Sequence, residues 1–304
     1  MAETGQAASA AAAVYVPRRA PRYSEFKGPV GRIALTRWGP EHESPIVLLH
    51  GWMDCAAAWQ LLVDCLPEDW PFVALDWPGY GRSDWHAGHY WYPEHLAELD
   101  LLLDEVSPRR AARLIGHSMG GGVCSMYAGV RPQRVAWVVN IEGFGMPALP
   151  PEELPGLAAE WLDALRAPAV PRRYESRDVL AAALRRANPR LPATAARFLA
   201  EVWTREVDGG YAMRADPRHL LHGPTRYMRA DVEAFWARAR APLLLLYGAE
   251  SDHMERAVGR DALVRLQKLF ADFRAEAIGE AGHLLPYEQP QRVADAITRF
   301  AAAR

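Results

Sequence analysis

Lysine is almost missing from this chain: Lys27 and Lys268 stand alone, and the rest of the 35 basic residues are arginine. The arginines are scattered among 37 acidic residues, for a formal charge of -2. That balance gives no reason to expect nucleic acid or an anionic membrane as a partner. Cysteine is scarce too. Cys55, Cys65 and Cys124 form no CxxC pair and, being odd in number, cannot all be bridged within one chain. Free thiols in a reducing cytosol are expected, with Cys124 buried on a helix. No run of about eighteen apolar residues occurs, so no membrane-spanning helix is expected. The start, MAETGQAASAAAAVYVPRR, opens with an acid and lacks the long apolar stretch of a secretory leader. A flexible N-terminus over 1–20 and a cytoplasmic location are the expectation. There is no HExxH, no cysteine–histidine ligand spacing, no P-loop and no GxGxxG, so no metal and no cofactor is expected.

What is present is an alternation of strand and helix signals. PIVLLHG (45–51), FVALDWPG (72–79) and PLLLLYGAESD (242–252) are short apolar runs ending in turn residues, as strands buried on both faces read. GRIALTRWG (31–39), ARLIGHS (112–118), VAWVVNIEG (135–143) and FRAEAIGEAGH (273–283) add further strands. Between them, Leu96, Leu99, Leu102, Leu103 and Val106 recur at helical spacing, a helix is expected from Met119 to Val130, and PQRVADAITRFAAA (290–303) closes the chain as an amphipathic helix. This pattern predicts an α/β fold with a mostly parallel central sheet covered by helices on both faces. Residues 21–143 and 232–304 form its core. Residues 144–231 change character: they are rich in Pro, Ala and Arg, carry amphipathic pieces such as ATAARFLAEVWTREV (193–207), and lack a comparably apolar strand. They read as an inserted helical cap above the carboxyl ends of the strands, where open α/β sheets bind ligands.

The stretch LIGHSMGGGV (114–123) raises the question of chemistry. Gly116-His117-Ser118-Met119-Gly120 matches G-x-S-x-G, in which small neighbours let a sharp strand-to-helix turn present the serine. A serine hydroxyl needs a base, and the base needs an orienting acid. His283, in EAGHLLPYEQP after the last strand, is the preferred base; His50 and His117, each beside a glycine, are read as shaping their turns. Two acids compete for the third role. Asp252, after YGAES, is preferred, and Glu142, ending VAWVVNIEG, is the alternative; Asp76 is read as holding a turn. The backbone N–H groups of Met119 and Trp52 are the expected oxyanion donors. Trp52, Trp161, Trp203 and Trp236 are candidates for an aromatic pocket or for core packing.

These pieces carry a resemblance. HGWMD (50–54), DWPGYGRSD (76–84), GHSMGG (116–121), YGAESD (247–252) and GHLLPYEQP (282–290) make the chain resemble the α/β-hydrolase superfamily over nearly its whole length. HGW-x-D, GHSMGGGV and DGGYAMRADP (208–217) are most similar to the serine hydrolase-like proteins and neighbouring esterases. The resemblance implies a Ser-Asp-His triad in the chain order Ser118, Asp252, His283, a cap over 144–231, and no cofactor. Serine at 118 sets the chain apart from dehalogenases and epoxide hydrolases, which use aspartate there. The function expected is a carboxylesterase acting on a small to medium, uncharged or aromatic ester through an acyl-enzyme. Carbon–carbon bond or thioester hydrolysis on the same triad, and a ligand-binding protein with a vestigial pocket, remain as alternatives. Monomer and dimer are both open.

Overall fold

The computed structural model of the chain describes residues 14–144, 150–166, 170–221, 223 and 229–304. The first thirteen residues of the expected tail, parts of the expected cap and His222 lie outside them. The chain opens with β1 (Arg22–Gly28), β2 (Gly31–Trp38), β3 (Ile46–Leu49), α1 (Gln60–Val63), β4 (Phe72–Leu75) and α2 (Glu94–Val106). Next come β5 (Ala112–His117), α3 (Met119–Val130) and β6 (Val135–Ile141). The following segment holds α4 (Leu154–Ala164), β7 (Arg173–Tyr174), α5 (Arg177–Ala187), α6 (Ala193–Trp203), β8 (Thr204–Val207) and β9 (Gly210–Met213). It is followed by α7 (Arg229–Trp236), β10 (Leu243–Gly248), α8 (His253–Val258) and α9 (Ala262–Leu269). The last elements are β11 (Phe273–Ile278), α10 (Leu285–Glu288) and α11 (Pro290–Ala302).

Eight strands make one sheet in the order β1-β2-β4-β3-β5-β6-β10-β11. It is antiparallel at β1–β2 and β2–β4 and parallel from there on. Every residue of β3 and β4 is buried, as their unbroken apolar runs require of strands covered on both faces. Leu99, Leu103, Val123 and Trp236 pack on one face; Trp59, Leu62, Ile297 and Phe300 pack on the other. Each large apolar side chain so buried is worth about 1.5–3 kcal/mol. Among the described residues, no helix is long and apolar enough to cross a membrane.

Three local features differ from the sequence expectation. First, β1 escapes the pattern because its residues are mostly exposed on a sheet edge, so RYSEFKG has little reason to be apolar. Second, the inserted segment is not purely helical: β7, β9 and β8 form their own antiparallel sheet. The piece 193–207 thus ends as helix at Trp203 and continues as β8, turning back through Asp208-Gly209, a dipeptide suited to hairpins. Third, part of the expected flexible tail is held. The Tyr15 hydroxyl donates to Asp64 Oδ2 at 2.6 Å, and the N–H groups of Arg18 and Arg19 donate to the same carboxylate at 2.9 and 3.1 Å. The inserted segment docks on the core through a third apolar cluster, in which Leu180, Leu199 and Trp203 meet Ala58, Leu61 and Tyr287.

Candidate active site

The site is built at the carboxyl ends of β5, β6 and β11. β5 stops at His117 and α3 starts at Met119, so Ser118 alone makes the turn, at φ +51° and ψ -117°. A side-chain-bearing residue in that region costs of order 1–3 kcal/mol and persists where surrounding structure enforces it. The enforcement is steric. A Cβ on Gly116 would fall 2.4 Å from the Gly120 carbonyl carbon, and one on Gly120 only 2.0 Å from the Leu49 oxygen. The two glycines therefore let the strand, the turn and the neighbouring β3 end close up, and Ser118 sits at the positive end of α3.

The His283 ring lies between Ser118 and a carboxylate. Its Nε2 is 3.0 Å from Ser118 Oγ, and its Nδ1 is 2.8 Å from Glu142 Oε2. An ionised carboxylate only accepts, so Nδ1 carries the proton and Nε2 presents its lone pair to the serine hydroxyl. Glu142 is fully buried at its side chain and holds φ +50°, a second strained non-glycine position. Its charge is met by three donors: the His283 ring, the Gly248 N–H at 2.7 Å and the Ser251 hydroxyl at 2.8 Å.

Asp252, the preferred acid in the sequence, is elsewhere. Its side chain is 70% exposed and pairs with Arg256 at 2.7 Å. The cause is the loop after β10. Ser251 N–H turns back to the Gly248 carbonyl and Glu250 N–H bonds the Ala281 carbonyl, which carries Asp252 outward to the position just before α8. The loop YGAESD thus supplies donors to the acid, through Gly248 and Ser251, in place of the acid itself. Glu142 takes the position because β6 lies beside β5, with Ile141 paired to His117, so the residues just beyond both strand ends are neighbours.

Other side chains hold this arrangement. The His117 ring donates from Nε2 to the His283 carbonyl at 2.8 Å, fixing the loop that carries the base. His50 accepts the Trp77 N–H at Nε2 and donates from Nδ1 to the Gly51 carbonyl, fixing the loop after β3. Burial pushes both rings down to about 3, so they stay neutral at neutral pH. His253, which no sequence motif marked, lies against His283 with ring centroids 4.1 Å apart, and burial lowers it to about 4. Asp76 holds its turn as the sequence suggested, accepting the N–H groups of Ala56 and Arg82. Asp54 of HGWMD joins three parts of the molecule. It accepts from Tyr287, four residues past the base, from the Trp203 indole of α6 at 2.6 Å, and from the Cys55 N–H. Burial raises its carboxyl to about 6.

The loop bearing Trp52 passes over the serine: a Cβ on Gly51 would stand 3.2 Å from Ser118 Cβ. The Trp52 side chain is exposed and donates from its indole to the His219 carbonyl at 3.1 Å. Met119 is the first residue of α3, where backbone N–H groups have no partner within the helix. Of the tryptophans considered for a pocket, Trp236 packs on Phe144 and Phe270 in the core, and Trp203 serves Asp54. Trp161 lies beside Trp91 and His89.

A strained serine elbow, a histidine and a buried carboxylate at the carboxyl edge of a mostly parallel sheet define a class, that of the α/β-hydrolases. A family model described as the alpha/beta hydrolase fold matches residues 44–290. The chain belongs to that family, as its motifs implied. A serine hydrolase-like protein of Danio rerio is 29% identical over 287 residues, covering 91% of this chain and 88% of its own length. A 2-(acetamidomethylene)succinate hydrolase of Mesorhizobium japonicum is 26% identical over 273 residues, covering 89% and 92%. The crystal structure of a hypothetical protein from Pseudomonas aeruginosa PAO1 superposes with a TM-score of 0.81 at 26% identity, covering 92% of this chain and 99% of that one.

Proposed function

We propose that this chain is a serine carboxylesterase whose relay runs Ser118, His283, Glu142. The observation that carries the reading is the pair of contacts at His283, 3.0 Å to the serine and 2.8 Å to the carboxylate. Ser118 Oγ attacks the acyl carbon while His283 Nε2 takes its proton, and Glu142 stabilises the imidazolium that results. The N–H groups of Met119 and Trp52 hold the developing oxyanion, each worth on the order of 10²–10³ in rate. The imidazolium then gives its proton to the departing alkoxide. Water, deprotonated by the same nitrogen, attacks the acyl-enzyme, and Ser118 regains its proton as the acid leaves. No step needs a metal or cofactor. The substrate is a small to medium, uncharged or aromatic ester.

The Mesorhizobium relative's name keeps a second substrate class in view, that of hydrolysis at bonds other than simple esters. Hydrolysis of p-nitrophenyl esters of rising acyl length, with wild type and Ser118→Ala side by side, separates the readings. Turnover that drops by about 10⁴-fold or more in the variant supports a serine esterase. Turnover retained in the variant removes Ser118 as nucleophile. Absence of turnover in both moves the weight to thioester or carbon–carbon substrates, or to a binding role.

A further inference from the structure

A cavity of about 270 Å³ lies where the N-terminal segment, the core and the inserted segment meet. None of Ser118, Glu142 and His283 lines it. Three arginines do: Arg82 from the loop after β4, Arg177 at the start of α5, and Arg214 just past β9. Arg177 and Arg214 are anchored alike. Each donates its Nε to Thr204, Arg177 to the hydroxyl at 3.3 Å and Arg214 to the carbonyl at 3.0 Å. Both are partly buried, and none of the three makes an ion pair with a carboxylate among the described residues. Burial lowers the Arg214 guanidinium, and Arg82 and Arg177 push it the same way. Two acids also line the cavity: buried Asp76, which accepts the N–H groups of Ala56 and Arg82 and whose charge acts to raise the Arg214 guanidinium, and the exposed Glu201.

Three arginines against two carboxylates leave the lining with one positive charge in excess, and guanidinium N–H groups that no carboxylate pairs are completed by an anion. We propose that the cavity binds a small organic oxyanion, a phosphoryl or carboxylate group on an apolar body. The guanidinium forks of Arg177 and Arg214 take the oxygens, since fork geometry matches planar or tetrahedral oxyanions. Trp38, Phe198 and Val202, which share the lining, contact the apolar body. Such a ligand spans two layers of the molecule. Arg177, Arg214 and Phe198 belong to the inserted segment, whereas Arg82 and Trp38 belong to the core, so occupancy holds the two together.

Isothermal titration with phenyl phosphate and with benzoate, each against sodium chloride of equal ionic strength, tests the site. The expected result is saturable binding of at least one probe by wild type, weakened about tenfold or more in Arg177→Gln and in Arg214→Gln. Arg205→Gln, whose guanidinium lies over Trp85 outside the lining, is the control and should bind as wild type. Arg177 is the first residue of α5, where a glutamine is readily accommodated, so its variant keeps the test open even if Arg214→Gln is poorly folded. Phenyl phosphate alone binding marks a phosphoryl ligand; benzoate alone marks a carboxylate. Absence of saturable binding, heat equal to that from sodium chloride, or unchanged affinity in Arg177→Gln overturns the proposal.

Discussion

Exchanging Glu142 for glutamine gives the sharpest test of the relay, because the structure dictates how the amide must sit. The Gly248 N–H, 2.7 Å from Oε1, needs an acceptor, so the glutamine oxygen takes that place. Its NH2 then occupies the Oε2 position, 2.8 Å from His283 Nδ1. A donor there leaves Nδ1 as acceptor and moves the ring proton to Nε2, which now donates to Ser118 and cannot accept from it. Loss of the orienting acid in this way lowers kcat by about 10⁴-fold, equivalent to about 5.4 kcal/mol of transition-state stabilisation. The fold should survive, since Glu142 and glutamine share shape and most hydrogen bonds. Asp252→Asn breaks only a surface pair with Arg256, both side chains about 70% exposed, and kcat should stay within about twofold of wild type. The assay is kcat and KM on p-nitrophenyl acetate, with melting curves to verify folding. A severe loss in Asp252→Asn beside a mild one in Glu142→Gln would refute the geometry.

Ser251→Ala removes one of three donors to the Glu142 carboxylate and should lower kcat about tenfold with little change in KM; an unchanged kcat means the hydroxyl is dispensable. Stability should fall with acid, and its sign follows from burial. His50, His117 and His219 are held at about 3 in the native state against an ordinary 6.5, so the unfolded chain takes up their protons first as pH drops below about 6.5. Asp54 and Asp76, raised to about 6 from 3.8, protonate first in the native state and offset part of that loss between these values. With His253, lowered to about 4, four histidines against two carboxylates leave a net loss of about 2–3 kcal/mol per pH unit between pH 6 and 4. Urea unfolding at pH 7 and pH 5 measures it, and equal or greater stability at pH 5 contradicts the assignment.

Much of the fold was legible because its signals are local. The runs IVLL, FVAL and LLLLYG must be buried on both faces wherever they sit, and that requirement alone implies a parallel sheet between helical layers. What escaped were elements whose residues have little to bury, such as the exposed β1 edge, or whose stability comes from turn chemistry, such as the β8–β9 hairpin. His253 escaped for a different reason: its contact is with a ring thirty residues on, and no spacing rule announces it.

The site divides along the same line. Ser118 was readable because the constraint that makes it special, two glycines that admit neighbouring backbone, is written within five residues. His283 was readable from its place after the last strand. The acid was not. Glu142 and Asp252 both follow apolar strands, and nothing along the chain says which carboxylate points toward the histidine. That choice depends on β6 lying beside β5 and on the β10 loop folding back on Gly248 and Ala281. The sequence by itself determined the sheet, the elbow and the pair of candidate acids. Only the tertiary structure brings Glu142, and not Asp252, to the histidine, because the cost of burying a carboxylate is met where the end of β10, the loop after it and the loop after β11 converge their donors on it.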